Sequence, residues 1–294
     1  MKLSELEWEN ARIESDGEFD YFGLLSYSSA PGNILSFYGN IGFKNDLKNK
    51  KISCVICKED LLDSLPEHVV GKVISDNPLY TFWTMHEKYG NTDRFEFETQ
   101  IGKNSRISNQ AFVDSKGVVI GDNVVIEEFV SIKKGTRIGN DVVIKAGSVI
   151  GADCFITADK SEERFVATLL GGVKICDGVR IYNNNVITKG TFEWVDTFIG
   201  LGTLINANCS ISHNAMLGRR VMMCDGVTIS GDNTIGDDVW ISPAVHTTNS
   251  IKIGNGASIM LGEIVRKDVS DKMVVVAGRE YRRDLYSAIR KMQK

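Results

Sequence analysis

A large aliphatic or methionine side chain returns at every sixth position over a long stretch of this sequence. The repeat is unbroken from Ile199 to Ile241, and the same frame runs from Ile175 to Val265 with two exceptions, Glu193 and Thr247. A period of six fits neither an α-helix nor a flat strand, whose side chains repeat every 3.6 and two residues. It fits a chain that runs extended for about five residues and then turns a corner, so that each side points one apolar side chain into a common axis.

An earlier block keeps the same step but lies one residue out of phase with the later one. It comprises Ile120, Ile126, Ile132, Ile138, Ile144 and Ile150. The segment between the blocks, residues 153–173, is therefore interpreted as a loop expelled from the wall of the coil, and such loops commonly build the binding face of a solenoid. The pattern predicts a mainly β protein with a β-helix over residues 98–268.

The rest of the chain lacks this frame. Residues 1–97 alternate short apolar runs with turn-rich and helix-like segments, which predicts a small α/β domain. Residues 269–294 end the chain with a strand and a short basic helix. In the first domain, the spacing of Phe37, Asn40 and Phe43 would allow two rings and an amide to clamp a flat heterocycle. The alternative is that both rings belong to the core.

The composition excludes several classes of function. Of the 294 residues 43% are hydrophobic, and the net charge is −4, whereas a general nucleic-acid binder concentrates Lys and Arg. No apolar run reaches the length of a membrane span, and the acidic start lacks the apolar core of a signal peptide. We therefore expect a cytoplasmic protein with no membrane span and no nucleic-acid partner.

Cysteine and histidine usage gives little support to a metal site. Cys54 and Cys57 form a Cys-x-x-Cys motif, but the surrounding run is typical of a buried strand and no second pair of ligands follows. The four histidines, which would supply a three-histidine zinc site only poorly, are His68, His86, His213 and His246. We expect no metal and no tightly bound cofactor.

Gly, Asp or Asn follows the aliphatic positions, as in Ile120–Asn123 and Ile235–Asp238. This pattern resembles the hexapeptide-repeat acyltransferases, which implies a left-handed parallel β-helix. The order of segments further resembles the UDP-3-O-acyl-glucosamine N-acyltransferases of the lipid A pathway. The matching segments, which follow one another with similar spacing, are Ser75–Pro78 with the helix beyond it, Gly151–Phe155, Asp196–Gly200 and Ile211–Asn214.

This resemblance assigns roles to individual residues. In the family two aromatics and an asparagine hold the uracil, and they match Phe37, Phe43 and Asn40; Phe43 stands where the family usually has tyrosine, which leaves UDP and dTDP both open. The family's general base matches His213, and the glycine proposed to stabilise the oxyanion matches Gly231. From the residues alone, His213 could instead be satisfied on a wall of the coil, and Gly231 could merely permit a corner.

Three more residues are implied as substrate contacts. Asn208 and Asn214 lie on either side of the base in the sequence, and His246 is the nearest candidate for a second histidine that the family carries near Ser250. The segment Asn206–Ser210 keeps only part of the family's sugar-contacting pattern. We therefore expect an acceptor sugar that differs from the family's own.

The end of the chain bears on the acyl donor. Residues 269–279 resemble the close of coenzyme-A-dependent sugar acetyltransferases, whereas the lipid A enzymes have longer C-terminal helices that receive acyl carrier protein. The resemblance implies an acyl thioester carried on coenzyme A or on acyl carrier protein. Because family members are trimers, it also implies a homotrimer.

These patterns predict an N-acyltransferase that moves an acyl group from a thioester to the amine of a nucleotide-linked amino sugar, for a cell-surface polysaccharide or lipid. Three alternatives stay open at this stage. The first is a sugar O-acetyltransferase that uses acetyl-coenzyme A. The second is a metal-dependent hydratase of the carbonic anhydrase type, and the third is a non-catalytic module that binds nucleotide sugars.

Overall fold

The chain forms two compact units. The computed structural model describes residues 1–91 and 93–292, without the side chains of residues 163 and 288–292. Unit 1 comprises Met1–Asn91, Phe155–Leu170 and Phe192–Trp194, and unit 2 comprises the described residues of 92–154, 171–191 and 195–294. Residues 293 and 294 of the predicted C-terminal helix lie outside the described residues. Within the described part of the chain, no helix is long and apolar enough to cross a membrane.

The first elements in chain order are β1 (Ala11–Ser15), β2 (Tyr21–Phe22), β3 (Ile34–Tyr38), β4 (Ile52–Cys57), β5 (Gly71–Ser75) and helix α1 (Pro78–Tyr89). Short 3-10 helices cover Leu3–Glu5, Ile41–Phe43, Asp46–Lys48, Glu59–Ser64 and Asp93–Phe95. In unit 1, β2, β3, β4 and β5 pair in parallel, and β1 joins β5 antiparallel. A small α/β arrangement therefore occupies the start of the chain.

The β-helix strands that precede the inserted segment are β6 (Gln100–Ile101), β7 (Arg106–Ile107), β8 (Phe112–Val113), β9 (Val119–Ile120), β10 (Val125–Ile126), β11 (Ser131–Ile132), β12 (Thr136–Ile138), β13 (Val143–Ile144) and β14 (Val149–Ala152). The inserted segment forms a hairpin, β15 (Ile156–Lys160) and β16 (Glu163–Ala167). This hairpin belongs to unit 1.

The β-helix then resumes with β17 (Gly172–Ile175), β18 (Arg180–Ile181), β19 (Val186–Thr188), β20 (Asp196–Ile199), β21 (Leu204–Ile205), β22 (Ser210–Ile211), β23 (Met216–Leu217), β24 (Met222–Met223), β25 (Thr228–Ile229), β26 (Thr234–Ile235), β27 (Trp240–Ile241), β28 (His246–Thr247), β29 (Lys252–Ile253), β30 (Ser258–Ile259) and β31 (Ile264–Val265). The chain ends with β32 (Met273–Val276), β33 (Arg279–Arg282) and helix α2 (Arg283–Met292).

Unit 1 is discontinuous in sequence, whereas the sequence pattern predicts a continuous domain over residues 1–97. Phe192 is fully buried in this unit, and its ring centroid lies 5.7 Å from that of Trp83 and 5.2 Å from that of His86. The Trp194 indole N–H donates to the backbone oxygen of Phe22. A segment from far along the chain, Phe192–Trp194, thus completes the apolar core of unit 1.

The Cys-x-x-Cys motif lies in β4, where both thiols are buried. Side chains three positions apart in a strand point to opposite faces of the sheet, so Cys54 and Cys57 do not converge on one point. Burial raises the pKa of each thiol to about 11, which keeps both protonated at neutral pH. This supports the interpretation of both cysteines as small core residues.

Unit 2 is a parallel β-helix with three faces. Face 1 begins with β6, face 2 with β7 and face 3 with β8, and every third strand belongs to the same sheet. The two strands of the inserted hairpin, β15 and β16, lie outside these three sheets and are skipped in this count. The register pairs residues 18 positions apart, as in Ile199 against Leu217. The inward side chains of the six-residue frame form one continuous buried core. The hairpin of β32 and β33 extends face 2 at the last coil.

A ladder of Asp and Asn side chains lines the first corner, where the chain passes from face 1 to face 2. The acceptors, each bonded to a backbone N–H of the preceding coil, are Asp122, Asn140, Asp177, Asp237, Asn255 and Asp271. A glycine precedes four of the six acceptors, and close stacking requires it: a Cβ on Gly121, for example, would lie 2.6 Å from the oxygen of Gly139. This explains the Gly-Asp and Gly-Asn pattern after the aliphatic positions.

Two insertions leave the β-helix at the third corner, where the chain passes from face 3 to face 1. Six positions close this corner between Ile211 and Leu217, but 25 separate Ile150 from Ile175, so 19 residues are inserted and the frame shifts by one. Twelve positions separate Ile187 from Ile199, so six are inserted and the frame is preserved. Glu193 therefore lies outside the coil instead of interrupting it.

Thr247, the other exception to the aliphatic frame, does point into the coil. Its Oγ1 accepts hydrogen bonds from the Ser230 N–H at 2.9 Å and from the buried Asn233 amide at 2.8 Å. A polar side chain is tolerated at this inward position because its oxygen is satisfied.

His86 is buried among aromatic rings of unit 1. Phe22, Phe82, Trp83 and Phe192 surround its imidazole, and neither ring nitrogen has a hydrogen-bond partner among the described residues. Burial lowers the pKa of His86 from its usual 6.5 to about 4, because the charged form would lose its hydration.

We predict that His86 makes unit 1 sensitive to acid. The unfolded chain protonates this imidazole below about pH 6.5 and the folded chain only near pH 4, so unfolding binds a proton in that interval. The contribution of neutral His86 to the free energy of unfolding is fully present above pH 6.5, and roughly 3 kcal/mol of this free energy is lost as the pH falls to 4. Denaturant unfolding of wild type and His86→Leu at pH 7 and pH 4 measures it. Equal losses of stability in both proteins would show that His86 does not titrate in this way.

Candidate functional site

His213 stands at the third corner of the β-helix, immediately after β22. Ile211 of β22 points into the core, and Asn214 takes a left-handed backbone conformation with φ of 59°, which turns the chain towards β23. Between these two residues the imidazole emerges at the rim of the wall, with 20% of the side chain exposed. The repeat itself therefore places the histidine where it can reach a ligand.

Gly231 lies one coil further along and directly beneath this imidazole. A Cβ built on Gly231 would lie 2.5 Å from both Cε1 and Nε2 of His213. The backbone of Gly231 does not lie in the left-handed region, so the corner itself does not demand glycine there. The ring demands it: any other residue would displace the imidazole.

The backbone N–H of Gly231 donates to no acceptor within residues 1–91 and 93–292. Its neighbours in the same turn are engaged, since the Ser230 N–H donates to Thr247 and the Asp232 N–H to the backbone oxygen of His213. A donor beside an imidazole Nε2 is an arrangement that can bind a developing oxyanion next to a base.

Three polar side chains contact the other edge of the imidazole. Nδ1 of His213 lies 3.2 Å from Nδ2 of Asn214, 3.4 Å from Oγ1 of Thr191 and 3.9 Å from Oδ2 of Asp232. Asn214 is 93% buried and also donates to Asp232 Oδ1 at 2.9 Å. The resemblance implies Asn214 as a substrate contact, and the structure places its amide among these side chains beside the histidine.

The other two predicted substrate contacts lie apart from His213. Asn208 is exposed at the second corner, between β21 and β22, where it takes a left-handed conformation with φ of 58°. His246 is exposed on β28 of face 3, in register with Thr228 and Ile264. The structure records no contact of either side chain with His213, and it gives neither prediction support.

A cavity of about 640 Å³ in unit 1 brings the predicted nucleotide-binding residues together. Phe37, Asn40 and Phe43 line it, along with Leu24, Leu25, Ser26, Gly39, Asp46, Lys58, Asp76, Asn77, Pro78 and Leu79. Phe37 rests on Phe82 with ring centroids 5.1 Å apart, while Phe43 is 58% exposed. Phe43 is therefore not the core residue that the alternative interpretation of the sequence allows.

Asn40 caps the 3-10 helix Ile41–Phe43, which carries Phe43. Its Oδ1 accepts the Gly42 N–H at 2.8 Å. This bond identifies which side-chain atom is oxygen, so the remaining Nδ2 is a hydrogen-bond donor. A donor complements a carbonyl on the edge of a base, such as those of uracil and thymine.

Sequence reasoning missed two of the residues around His213. Asp232 could have been found, because it lies 18 positions after Asn214 and the register stacks residues at that separation. Thr191 could not, because six residues are inserted at this corner and the spacing of the repeat does not predict where they lie. No pattern in the sequence marks the aliphatic lining of the cavity.

Comparisons with known protein sequences agree with this architecture. A family model described as bacterial transferase hexapeptide (six repeats) matches residues 117–152. A UDP-3-O-acylglucosamine N-acyltransferase from Methylorubrum populi is 35% identical over 132 residues, which are 45% of this chain and 37% of that protein. One from Helicobacter hepaticus is 28% identical over 268 residues, covering 83% of this chain and 79% of that protein. The chain thus spans little more than a third of the first relatives that it matches.

Solved structures resemble the β-helix. A UDP-N-acetylglucosamine acyltransferase from Bacteroides fragilis superposes with a TM-score of 0.56 at 28% identity, over 66% of this chain and 74% of that one. One from Campylobacter jejuni gives a TM-score of 0.51 at 24% identity, which supports the fold alone. The predicted left-handed parallel β-helix is confirmed. The chain contains hexapeptide repeats and resembles the UDP-3-O-acylglucosamine N-acyltransferases in sequence and UDP-N-acetylglucosamine acyltransferases in fold.

Proposed function

We propose that this chain transfers an acyl group from a thioester to the amine of a nucleotide-activated amino sugar. The observation that carries the proposal is the pairing of His213 with Gly231, which sets an imidazole Nε2 beside an unengaged backbone N–H. The cavity lined by Phe37, Asn40 and Phe43 supports a nucleotide-bearing acceptor. The resemblance to acyltransferases that act on UDP-linked sugars supports the same reaction class.

The chemistry follows from these positions. Nε2 of His213 takes a proton from the sugar amine as the amine nitrogen attacks the thioester carbonyl. The carbonyl oxygen gains negative charge in the tetrahedral intermediate, where the Gly231 N–H donates to it. The C–S bond then breaks, the leaving thiolate takes the proton from the imidazolium, and the products are an amide and a free thiol.

In unit 1 the nucleotide base would lie against Phe43 and Phe37. Stacking on aromatic rings tolerates different bases, so selection falls to the Nδ2 donor of Asn40, which complements a base carbonyl. The aliphatic side chains of Leu24, Leu25 and Leu79 in the same cavity would also accept the methyl group of thymine. Both UDP-linked and dTDP-linked sugars are therefore candidate acceptors.

The donor would be an acyl thioester on coenzyme A or acyl carrier protein, with no tightly bound cofactor. We also propose a cytoplasmic homotrimer, as the sequence resemblance implies. Leu204, Met222 and Trp240 follow one another in register on face 2, and each is more than a third exposed. A subunit interface would remove this apolar stripe from water. Light scattering at micromolar concentration tests the trimer.

Replacing the base should stop the reaction and leave the fold intact. We expect His213→Ala to lower turnover by roughly 10²-fold or more, because proton transfer from the amine loses its acceptor. The assay is amide formation from acyl-coenzyme A or acyl carrier protein with UDP- and dTDP-amino sugars, and resistance of the product to mild base separates an amide from an ester. His68→Ala, at a histidine of unit 1, is the control. Undiminished activity in His213→Ala would remove this residue from the mechanism.

Substituting the glycine under the ring should act on the same step. In Gly231→Ala the new Cβ would lie 2.5 Å from the imidazole, so we expect the ring to shift and turnover to fall roughly 10²-fold. Gly218→Ala is the matched control, because its Cβ would meet Asp237 at 2.6 Å in another corner of the coil. A similar loss of activity in both variants would mean that general strain in the coil, and not the site, is responsible.

Removing the exposed ring should weaken nucleotide binding alone. We expect Phe43→Ala to raise the Kd for UDP and dTDP by roughly ten- to a hundredfold, because base stacking is lost. Isothermal titration calorimetry measures this, and turnover at saturating acceptor should stay close to wild type. Phe129→Ala, at an exposed phenylalanine of unit 2, is the control. An unchanged Kd in Phe43→Ala would place the nucleotide elsewhere.

A further inference from the structure

The orientation of the Asn214 side chain is fixed by one contact. The backbone N–H of Thr191 lies 2.7 Å from Oδ1 of Asn214. A backbone N–H can only donate, so the atom facing it is the amide oxygen. Nδ2, with its two hydrogens, must therefore face the cluster formed by His213, Asp232 and the Thr191 hydroxyl.

The neighbours of Nδ1 favour one tautomer of the imidazole. The Asn214 amide is closest to Asp232 Oδ1 at 2.9 Å and Thr191 Oγ1 at 3.0 Å, and it lies farther from His213 Nδ1, at 3.2 Å. Of the other two neighbours of Nδ1, the Thr191 hydroxyl can donate or accept, whereas the Asp232 carboxylate can only accept. The carboxylate therefore favours a hydrogen on Nδ1, which leaves a lone pair on Nε2.

Asp232 is held in place for a second role. While Oδ1 accepts from Asn214, Oδ2 lies 3.9 Å from His213 Nδ1, and both side chains are only about a fifth exposed. In the described part of the chain, this carboxylate is the charged group that the structure records against the imidazole. A negative charge at this distance in a partly desolvated setting stabilises an imidazolium.

We propose that Asp232 is a positioning residue for His213, acting together with Asn214 and Thr191. The inference rests on the proposed acyl transfer and adds to it how the base is prepared. The three side chains hold the Nδ1–H tautomer, which leaves Nε2 to take the proton from the amine. Asp232 stays a carboxylate throughout and stabilises the imidazolium until the proton passes to the leaving thiolate.

The test removes the charge and keeps the shape. In Asp232→Asn the side-chain oxygen can still accept from Asn214, and asparagine tolerates the left-handed conformation of this position, where φ is 61°. We expect kcat to fall by roughly ten- to a hundredfold, since the imidazolium loses its partner. KM for the nucleotide sugar should stay within about twofold.

Asp238→Asn is the matched control. Asp238 occupies the same left-handed conformation at the next corner, with φ of 57°, and pairs with Arg220 instead of a histidine. Its kcat should match wild type. Nitrogen-15 NMR of the histidines supplies a readout without substrate: Nδ1 of His213 should be protonated in wild type, and this preference should weaken in Asp232→Asn.

The outcomes separate this inference from the proposed function. If Asp232→Asn keeps the wild-type kcat while His213→Ala is inactive, the role of Asp232 is overturned and the base stands. A rise in KM alone would make Asp232 a substrate contact and would overturn the inference as well. If the wild type transfers no acyl group from any thioester, the proposed function fails, and a wild-type Nε2–H tautomer in the NMR spectrum would separately overturn the assignment of Nδ1.

Discussion

The stacking of one coil on the next is the constraint on which unit 2 depends. Each strand of two to four residues is too short to be stable alone, but its backbone groups are paired with the coils above and below, and one aliphatic side chain per face fills the axis. The same stacking makes position matter: residues 18 apart in sequence lie one above the other. His213 and Gly231 meet for this reason, although nothing in their local sequence would bring them together.

The sequence predicted the coil because a six-residue period has few structural solutions, and the family resemblance pointed to His213 and Gly231, which the structure brings together at the third corner. It did not supply the reason for Gly231. Glycine is usually read as a sign of unusual backbone conformation, but here the backbone is ordinary and the side chain is excluded by the imidazole of His213. Only the stacked neighbour, 18 positions earlier in the sequence, distinguishes the two explanations.

Unit 1 shows where sequence reasoning stops. The pattern indicated an α/β domain over residues 1–97, but the apolar core recruits Phe192 and Trp194 from an insertion about a hundred residues away. Short helix-like segments near residues 46 and 60 became 3-10 helices, whereas the longer segment became α1, as expected from the cost of nucleating an α-helix. Asn208 was predicted as a substrate contact from its place near His213 in the sequence, and His246 as the nearest candidate for a second histidine; the structure puts Asn208 at the second corner and His246 on face 3, and both roles stay predictions.

The insertion that matters most for the surroundings of His213 is the one that leaves the six-residue repeat unchanged. An insertion of six residues leaves the aliphatic frame unchanged, so the sequence shows only a single odd residue, Glu193, where the chain in fact leaves the coil. That departure sets Thr191 next to Asn214 and fixes the orientation of the Asn214 amide, which contacts the imidazole of His213, through the Thr191 N–H. A perfectly regular coil would present an imidazole at this corner without these contacts. The regular part of the repeat therefore builds the wall, and its interruption supplies the polar surroundings of His213.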